Sequence, residues 1–232
     1  MKTVLHPADS RGVAEHGWLS SRFSFSFSHW YEPARMGFGA LRVLNDDTIA
    51  PSSGFGMHPH ANMEIITIVT KGEVTHEDSM GNRGVVRAGE VQVMTAGTGV
   101  VHAEKNESAL EPLELFQLWI TPREAGLLPR YEQKAFDSGA SLLVSPDGRD
   151  GSLSVMQDAF IERVSLSVGK AMSHAVRKSG NGLYIFVISG EVRAGETTLG
   201  PRDALGIQET DHIQLTAEQE SELLIVEVPV VD

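Results

Sequence analysis

The sequence predicts an all-β fold made of two similar domains, and two observations carry that prediction. The first is that short runs rich in Val, Ile, Phe and Thr recur throughout the 232 residues: Leu41 to Leu44, Glu64 to Thr70, Val91 to Thr95, Leu115 to Thr121, Leu142 to Ser145, Leu183 to Ser189 and Leu223 to Val228. Most are bounded by Gly, Pro, Asn or Asp, and no segment sustains a 3.6-residue apolar period between caps, which is the pattern of a sandwich or barrel. The second is an internal echo. Ile66 to Val74 closes on Gly72-Glu73-Val74, and Ile185 to Val192 closes on Gly190-Glu191-Val192. Each copy is followed by a further turn, Ala88-Gly89-Glu90-Val91 and Leu199-Gly200-Pro201-Arg202. Duplication of one β-domain explains this most simply. The expected division is 1–134 and 135–232, with Pro122 to Asp137 as a connector.

Composition bounds the function. A hydrophobic content of 41% and a charged content of 22% are those of an ordinary globular protein. The formal charge of −12 argues against direct nucleic-acid binding, because a grip on phosphates needs clustered Lys and Arg. Met1 to Gly12 has no apolar core of signal-peptide length, and the run Leu183 to Ile188 is far short of the roughly 18 residues of a membrane span. With no cysteine there is no disulfide framework, so the expected location is the cytoplasm.

Two short pairs carry the chemistry. His58-Pro59-His60 is answered by His102-Ala103-Glu104. Residues two apart on a strand point to the same side, so each pair offers two donors to one pocket. Three imidazoles and a carboxylate, with no thiolate available, suit a divalent first-row metal. Glu64, Gly72 and Gly89 lie between the pairs at strand-and-turn spacing, so the chain can fold back and bring them together. The other histidines read differently. His6, His16 and His29 are expected at the surface or in caps, and His76 is expected to hydrogen-bond its neighbours. In the second half, His174-Ala175-Val176 and His212-Ile213-Gln214 fall near the places of the two pairs and keep too few donors for a metal, so this half is expected to be structural or regulatory.

These motifs resemble the cupin superfamily, in His58, His60, Glu64 and Gly72 for the first motif and Gly99, His102 and Asn106 for the second. The carboxylate two residues after the last histidine, at Glu104, is similar to the pirin branch. That resemblance covers nearly the whole chain and is carried by Met36 to Asp47, Gly54 to His60, Met63-Glu64-Ile65, His76 to Asn82 and Ala96 to Glu104. It implies two tandem cupin barrels of the double-stranded β-helix or jelly-roll type. It also implies one metal in the N-terminal barrel, usually iron, bound by His58, His60, His102 and Glu104. Some bacterial pirins act as quercetin 2,3-dioxygenases, and a mammalian relative is regarded as a nuclear transcriptional co-regulator.

Four protein ligands leave about two open positions on a six-coordinate ion, as a catalyst requires. A flavonol 3-hydroxyl and its 4-carbonyl would fill them as a chelate, the metal would lower the hydroxyl pKa, and Glu104 would accept the proton. Reaction with O2 would then open the ring and release CO. Affinity order alone favours copper or nickel, while Mn, Co and Zn also suit the donor set; Fe(II) is the choice the resemblance implies. Phe38, Phe55 and Met57 beside the motifs are either pocket wall or barrel core. The alternative function is a non-catalytic iron protein whose oxidation state controls binding to a protein partner.

Overall fold

The computed structural model describes residues 1–137 and 142–230. The first half contributes β1 (Lys2–His6), β2 (Gly12–Glu15), β3 (Leu19–Phe23), β4 (Leu41–Ile49), β5 (Ser53–His60), β6 (Glu64–Lys71), β7 (Glu73–Asp78), β8 (Arg83–Arg87), β9 (Glu90–Thr95), β10 (Val100–Asn106), β11 (Leu113–Ile120) and β12 (Arg130–Ala135). The second half contributes β13 (Leu142–Ser145), β14 (Leu153–Ser154), β15 (Phe160–Leu166), β16 (Ala171–Ala175), β17 (Asn181–Ser189), β18 (Val192–Ala194), β19 (Thr197–Leu199), β20 (Ala204–Gln208), β21 (His212–Ala217) and β22 (Ser221–Pro229). The described helical turns are short 3-10 pieces, and none is long and apolar enough to cross a membrane. All seven apolar runs read from the sequence lie on strands, the run Leu115 to Thr121 as far as Ile120.

Each half folds into a larger and a smaller sheet facing one another. The larger sheets run β12-β9-β6-β11-β4-β3-β2 and β1-β20-β17-β22-β15-β13-β14, and the smaller ones run β5-β10-β7-β8 and β16-β21-β18-β19. The orders superimpose strand for strand from β4/β15 to β11/β22, so the echo in the sequence is a true structural repeat. The architecture is a pair of cupin barrels. Gly72 and Gly190 end the matching strands β6 and β17 with φ of +73° and +81°, a left-handed turn that favours glycine.

The ends of the repeat are exchanged. β1 pairs with β20 in the second half's sheet, and β12 pairs with β9 in the first. The expected connector Pro122 to Asp137 is therefore corrected, because Arg130–Ala135 is a strand of the first barrel. Its charges misled the reading: an edge strand with one face wet reads as a polar linker.

Alternation on the strands puts apolar side chains both between the barrels and inside each of them. On β6, Ile66 and Ile68 point between the barrels with Phe116, Tyr184, Phe186 and Leu224, while Val69 packs inside the first barrel with Val74 and Leu115. The second barrel's interior is filled by Ile185, Leu205, Ile213, Leu215 and Ile225. Glu64 shares the face of Ile66. It is buried, accepts from Thr95 Oγ1 (2.8 Å), and accepts from the Met156 backbone N–H (3.3 Å). The cupin-motif carboxylate thus points out of the first barrel and ties it to the second half.

Candidate metal centre

The pairing of β5 with β10 brings the two histidine pairs together. His58 lies opposite His102 and His60 opposite Val100, so His58, His60 and His102 share the inner face of the small sheet. Their ligand atoms lie within 4.8 Å of one another. The register then slips: between His102 and Glu104 on β10 there is one residue, while β5 inserts Gly56 and Met57 between His58 and Phe55. This β-bulge returns Phe55 to the inner face, opposite Glu104, where unbroken alternation would have turned it outward. Gly54 lets the strands close up, since a Cβ there would stand 2.4 Å from the Glu104 carbonyl oxygen.

β7 adds two residues to the same face, because His76 lies opposite Glu104 and Asp78 opposite His102. His76, His102 and Glu104 form a second group of donors within 4.8 Å, sharing His102 with the first. The expected ligands therefore fall into two overlapping sets, three imidazoles on one side and Glu104 beside His76 on the other. His76 does bond its neighbour as expected: Nε2–H donates to Asp78 Oδ2 at 3.0 Å. That bond leaves the buried Nδ1 lone pair without a partner. The sequence signal for this residue was the His76-x-Asp78 spacing, the same period of two as in the motif pairs.

Glu104 is held from across the barrel by a row of polar side chains in register on the large sheet, Gln92, Thr67 and Gln117. Thr67 Oγ1–H (2.9 Å) and Gln92 Nε2–H (2.6 Å) donate to Oε1, and Gln117 Nε2–H (2.7 Å) donates to Oε2. The row is itself braced. Trp119 Nε1–H donates to Gln117 Oε1 (3.1 Å), and Tyr131 OH donates to Gln92 Oε1 (3.0 Å). Trp119 also meets His60 edge-on at 4.8 Å, and Tyr131, on the exchanged strand β12, stacks on His76 at 4.3 Å.

The protonation states suit a cation. Burial, with repulsion from His102 and His58, pushes His60 down to about 4; burial, with His58 and His76, pushes His102 down to about 3. At neutral pH both are neutral imidazoles with a lone pair to give. His58 Nδ1–H donates to the Gly56 carbonyl (2.8 Å), which leaves Nε2 as its free lone pair and fixes the ring. Both ring nitrogens of His102 are buried without a partner. Buried polar atoms are nearly always bonded, so a centre with this many orphaned nitrogens fits a metal ion.

A cavity of about 290 Å³ opens onto His58, His60 and Glu104 between β3, β4, β5 and β11, and its wall includes Trp18, Phe27, Phe55 and Trp119. Of the aromatics flagged in the sequence, Phe55 lines this cavity. Phe38 is core, packed on Tyr184 at 5.6 Å, and Met57 is exposed. His16 is exposed, as expected, and lines the mouth of the cavity as well; His6 departs from the expectation, being buried with its Nδ1 hydrogen-bonded to Tyr184 OH at 2.9 Å.

The second barrel follows the same registers with different residues. Aligned through β18 and β21, the counterparts of His76, His102 and Glu104 are Ala194, Ile213 and Leu215, and that of His58 is His174. His212 and Gln214, which by sequence fall near those places, are one residue out of phase and so lie on the other face of β21. The row Gln92, Thr67, Gln117 has become Leu205, Ile185, Ile225.

Paired barrels with three converging imidazoles and a braced carboxylate in the first define a bicupin with one candidate metal centre. Comparison with known proteins agrees. Residues 6–120 match the Pirin family model, and residues 142–228 match that of the quercetinase C-terminal cupin domain. The chain is 46% identical over 227 residues to an Escherichia coli K12 protein named quercetin 2,3-dioxygenase, covering 97% of this chain and 98% of the relative. It is 41% identical to a pirin-like protein of Caulobacter vibrioides, covering 95% and 97% of the two chains. The crystal structure of the bacterial pirin YhhW from Escherichia coli in complex with nickel(II) superimposes with a TM-score of 0.95 at 44% identity, covering 99% and 100%. The chain belongs to the pirin family.

Proposed function

We propose that the protein is a metal-dependent dioxygenase that opens flavonols such as quercetin with O2 and releases CO. The observation that carries the reading is the cluster of three imidazoles, two of which, His58 and His60, open with Glu104 onto an aromatic-walled cavity. In this reading the division at 134/135 holds apart from the exchanged ends β1 and β12: the first barrel binds the metal, the second supports it, and the protein acts in the cytoplasm without nucleic acid.

His58, His60, His102 and Glu104 would hold the metal, with Fe(II) as its identity, and the ion would supply Lewis acidity toward a chelating enol and access to O2 chemistry. The chain's own residues supply the rest. His58 is held in one tautomer by Gly56, and Thr67, Gln92 and Gln117 fix the Glu104 carboxylate so that it needs no reorganisation as it takes the proton of the substrate hydroxyl. Trp18, Phe55 and Trp119 offer faces and edges for a flat aromatic ligand and keep water from the reacting ring. Relatives that carry the quercetin 2,3-dioxygenase name support the substrate class.

The test is oxygen uptake by the Fe(II)-loaded protein with quercetin. Stoichiometric loss of O2 and of the flavonol band with trapped CO is expected, and Glu104→Gln should slow it by about 100-fold or more. A loaded protein that consumes no O2, with the variant indistinguishable from the parent, contradicts the reading.

A further inference from the structure

The polar row across the large sheet does not stop at the residues that hold Glu104. In register beyond Gln117 comes Asn45 on β4, then Phe23 on β3. Asn45 is 3% exposed, lines the cavity, and its Oδ1 is buried with no hydrogen-bond partner. One step along the same face of β4, Asp47 also lines the cavity and accepts a hydrogen bond from Ser21 Oγ. An amide buried in an aromatic-walled cavity with its acceptor unused is costly unless something else meets it.

The sister barrel shows what that position looks like when the chain satisfies itself. The register that places Asn45 opposite Gln117 places Glu162 opposite Ile225. There Arg177 clamps both Glu162 oxygens, Nη1–H to Oε2 at 3.1 Å and Nη2–H to Oε1 at 2.7 Å. The counterpart of Asp47 is Val164. The first barrel keeps two polar groups where the second has one saturated and one apolar residue, and it keeps them on a cavity wall.

We infer that Asn45 and Asp47 form a specificity subsite that receives hydroxyl groups on the part of the substrate away from the metal-chelating pair. The subsite deepens the proposed function and rests on it. It selects polyhydroxylated aromatics, because a buried acceptor left unpaired discriminates against an analogue that lacks the matching hydroxyl. Phe23 and Phe27 on the same wall would flank the ring that carries those hydroxyls.

Equilibrium titration under nitrogen tests this on the Fe(II)-loaded protein, with quercetin and with 3-hydroxyflavone, which keeps the chelating pair and has no other hydroxyl. The parent should bind quercetin about tenfold or more tightly than 3-hydroxyflavone. Asn45→Leu and the milder Asp47→Asn, matched for metal content, should each weaken quercetin about tenfold and leave 3-hydroxyflavone within about twofold. Selective loss in either variant supports the subsite. Equal loss of both ligands in both variants, or no loss in either, overturns it while the proposed function stands. A parent that binds neither flavonol removes the proposed function and the subsite with it.

Discussion

At the residue scale, the four motif residues were legible because a period of two is a strong statement about which way side chains point. Their surroundings were not. Gln92, Thr67 and Gln117 are scattered along the chain, and only the register of three strands makes them a row beneath Glu104. His76 was read for its local bond alone, since nothing local reveals that its strand lies beside β10. Because these donors orient a ligand, Gln92→Leu should lower metal affinity by about 10- to 100-fold with little change in fold, as read by competition with a chromophoric chelator. Unchanged affinity would mean that the row is packing only.

His6 makes a second residue-scale prediction, for stability. Burial, reinforced by the nearby Arg35 charge, holds its pKa down at about 4. Above the ordinary value of about 6.5 it is neutral in both the folded and the unfolded chain; below that, only the unfolded chain takes up the proton. Its contribution is therefore present above pH 6.5 and lost as the pH falls toward 4. His60 and His102 act with the same sign in metal-free protein, so the comparison with His6→Gln isolates the effect. The parent should lose about 2–3 kcal/mol more than the variant between pH 7 and pH 4, measured by urea unfolding. Parallel pH profiles would show that His6 is not buried as described.

At the element scale, the apolar strands were readable and the half-polar ones were not. β5, with Gly54, Gly56 and Pro59, and β12, with its charges, lack the signature of a buried strand, yet β5 carries two imidazoles and β12 carries Tyr131. The one-residue difference at His212 and Gln214 has the same origin: the repeated Gly turns fix where the strands lie but not the phase on each. The close approach of β5 and β10 is testable. Gly54→Ala would drive its Cβ into the Glu104 and Lys105 backbone, at 2.4 and 2.6 Å, in a backbone conformation with φ of +154°. The expected cost is about 2 kcal/mol or more, with weaker metal binding because His58 and His102 lie across that pair. A variant that melts and binds metal like the parent would contradict this account of the bulged ladder.

At the scale of the whole molecule, the duplication was legible and the exchange of end strands was not, since nothing in the residues of β1 or β12 says which sheet edge each one joins. The consequence is mechanical coupling. Each barrel is completed by a strand that precedes the other in the chain, and Phe116 and Phe186 meet at 5.5 Å in the shared core. Arg202 from the second half donates to Asp46 Oδ2 of the first at 2.8 Å, and the Ala8 N–H donates to Asp203 Oδ1 at 2.7 Å. Unfolding should therefore be one cooperative transition, with calorimetric and van't Hoff enthalpies equal. Two resolved transitions would show that the barrels are independent.

The central claim is that the first barrel holds one metal through residues visible as two pairs in the sequence. Anomalous diffraction at the metal's absorption edge, on crystals of Fe(II)-loaded protein, tests it most directly. The predicted result is a single strong peak per chain, bounded by Nε2 of His58, a ring nitrogen each of His60 and His102, and the Glu104 carboxylate, and abolished by His58→Ala with His102→Ala. A peak beside His174 or His212, or full occupancy retained in the double variant, would contradict it.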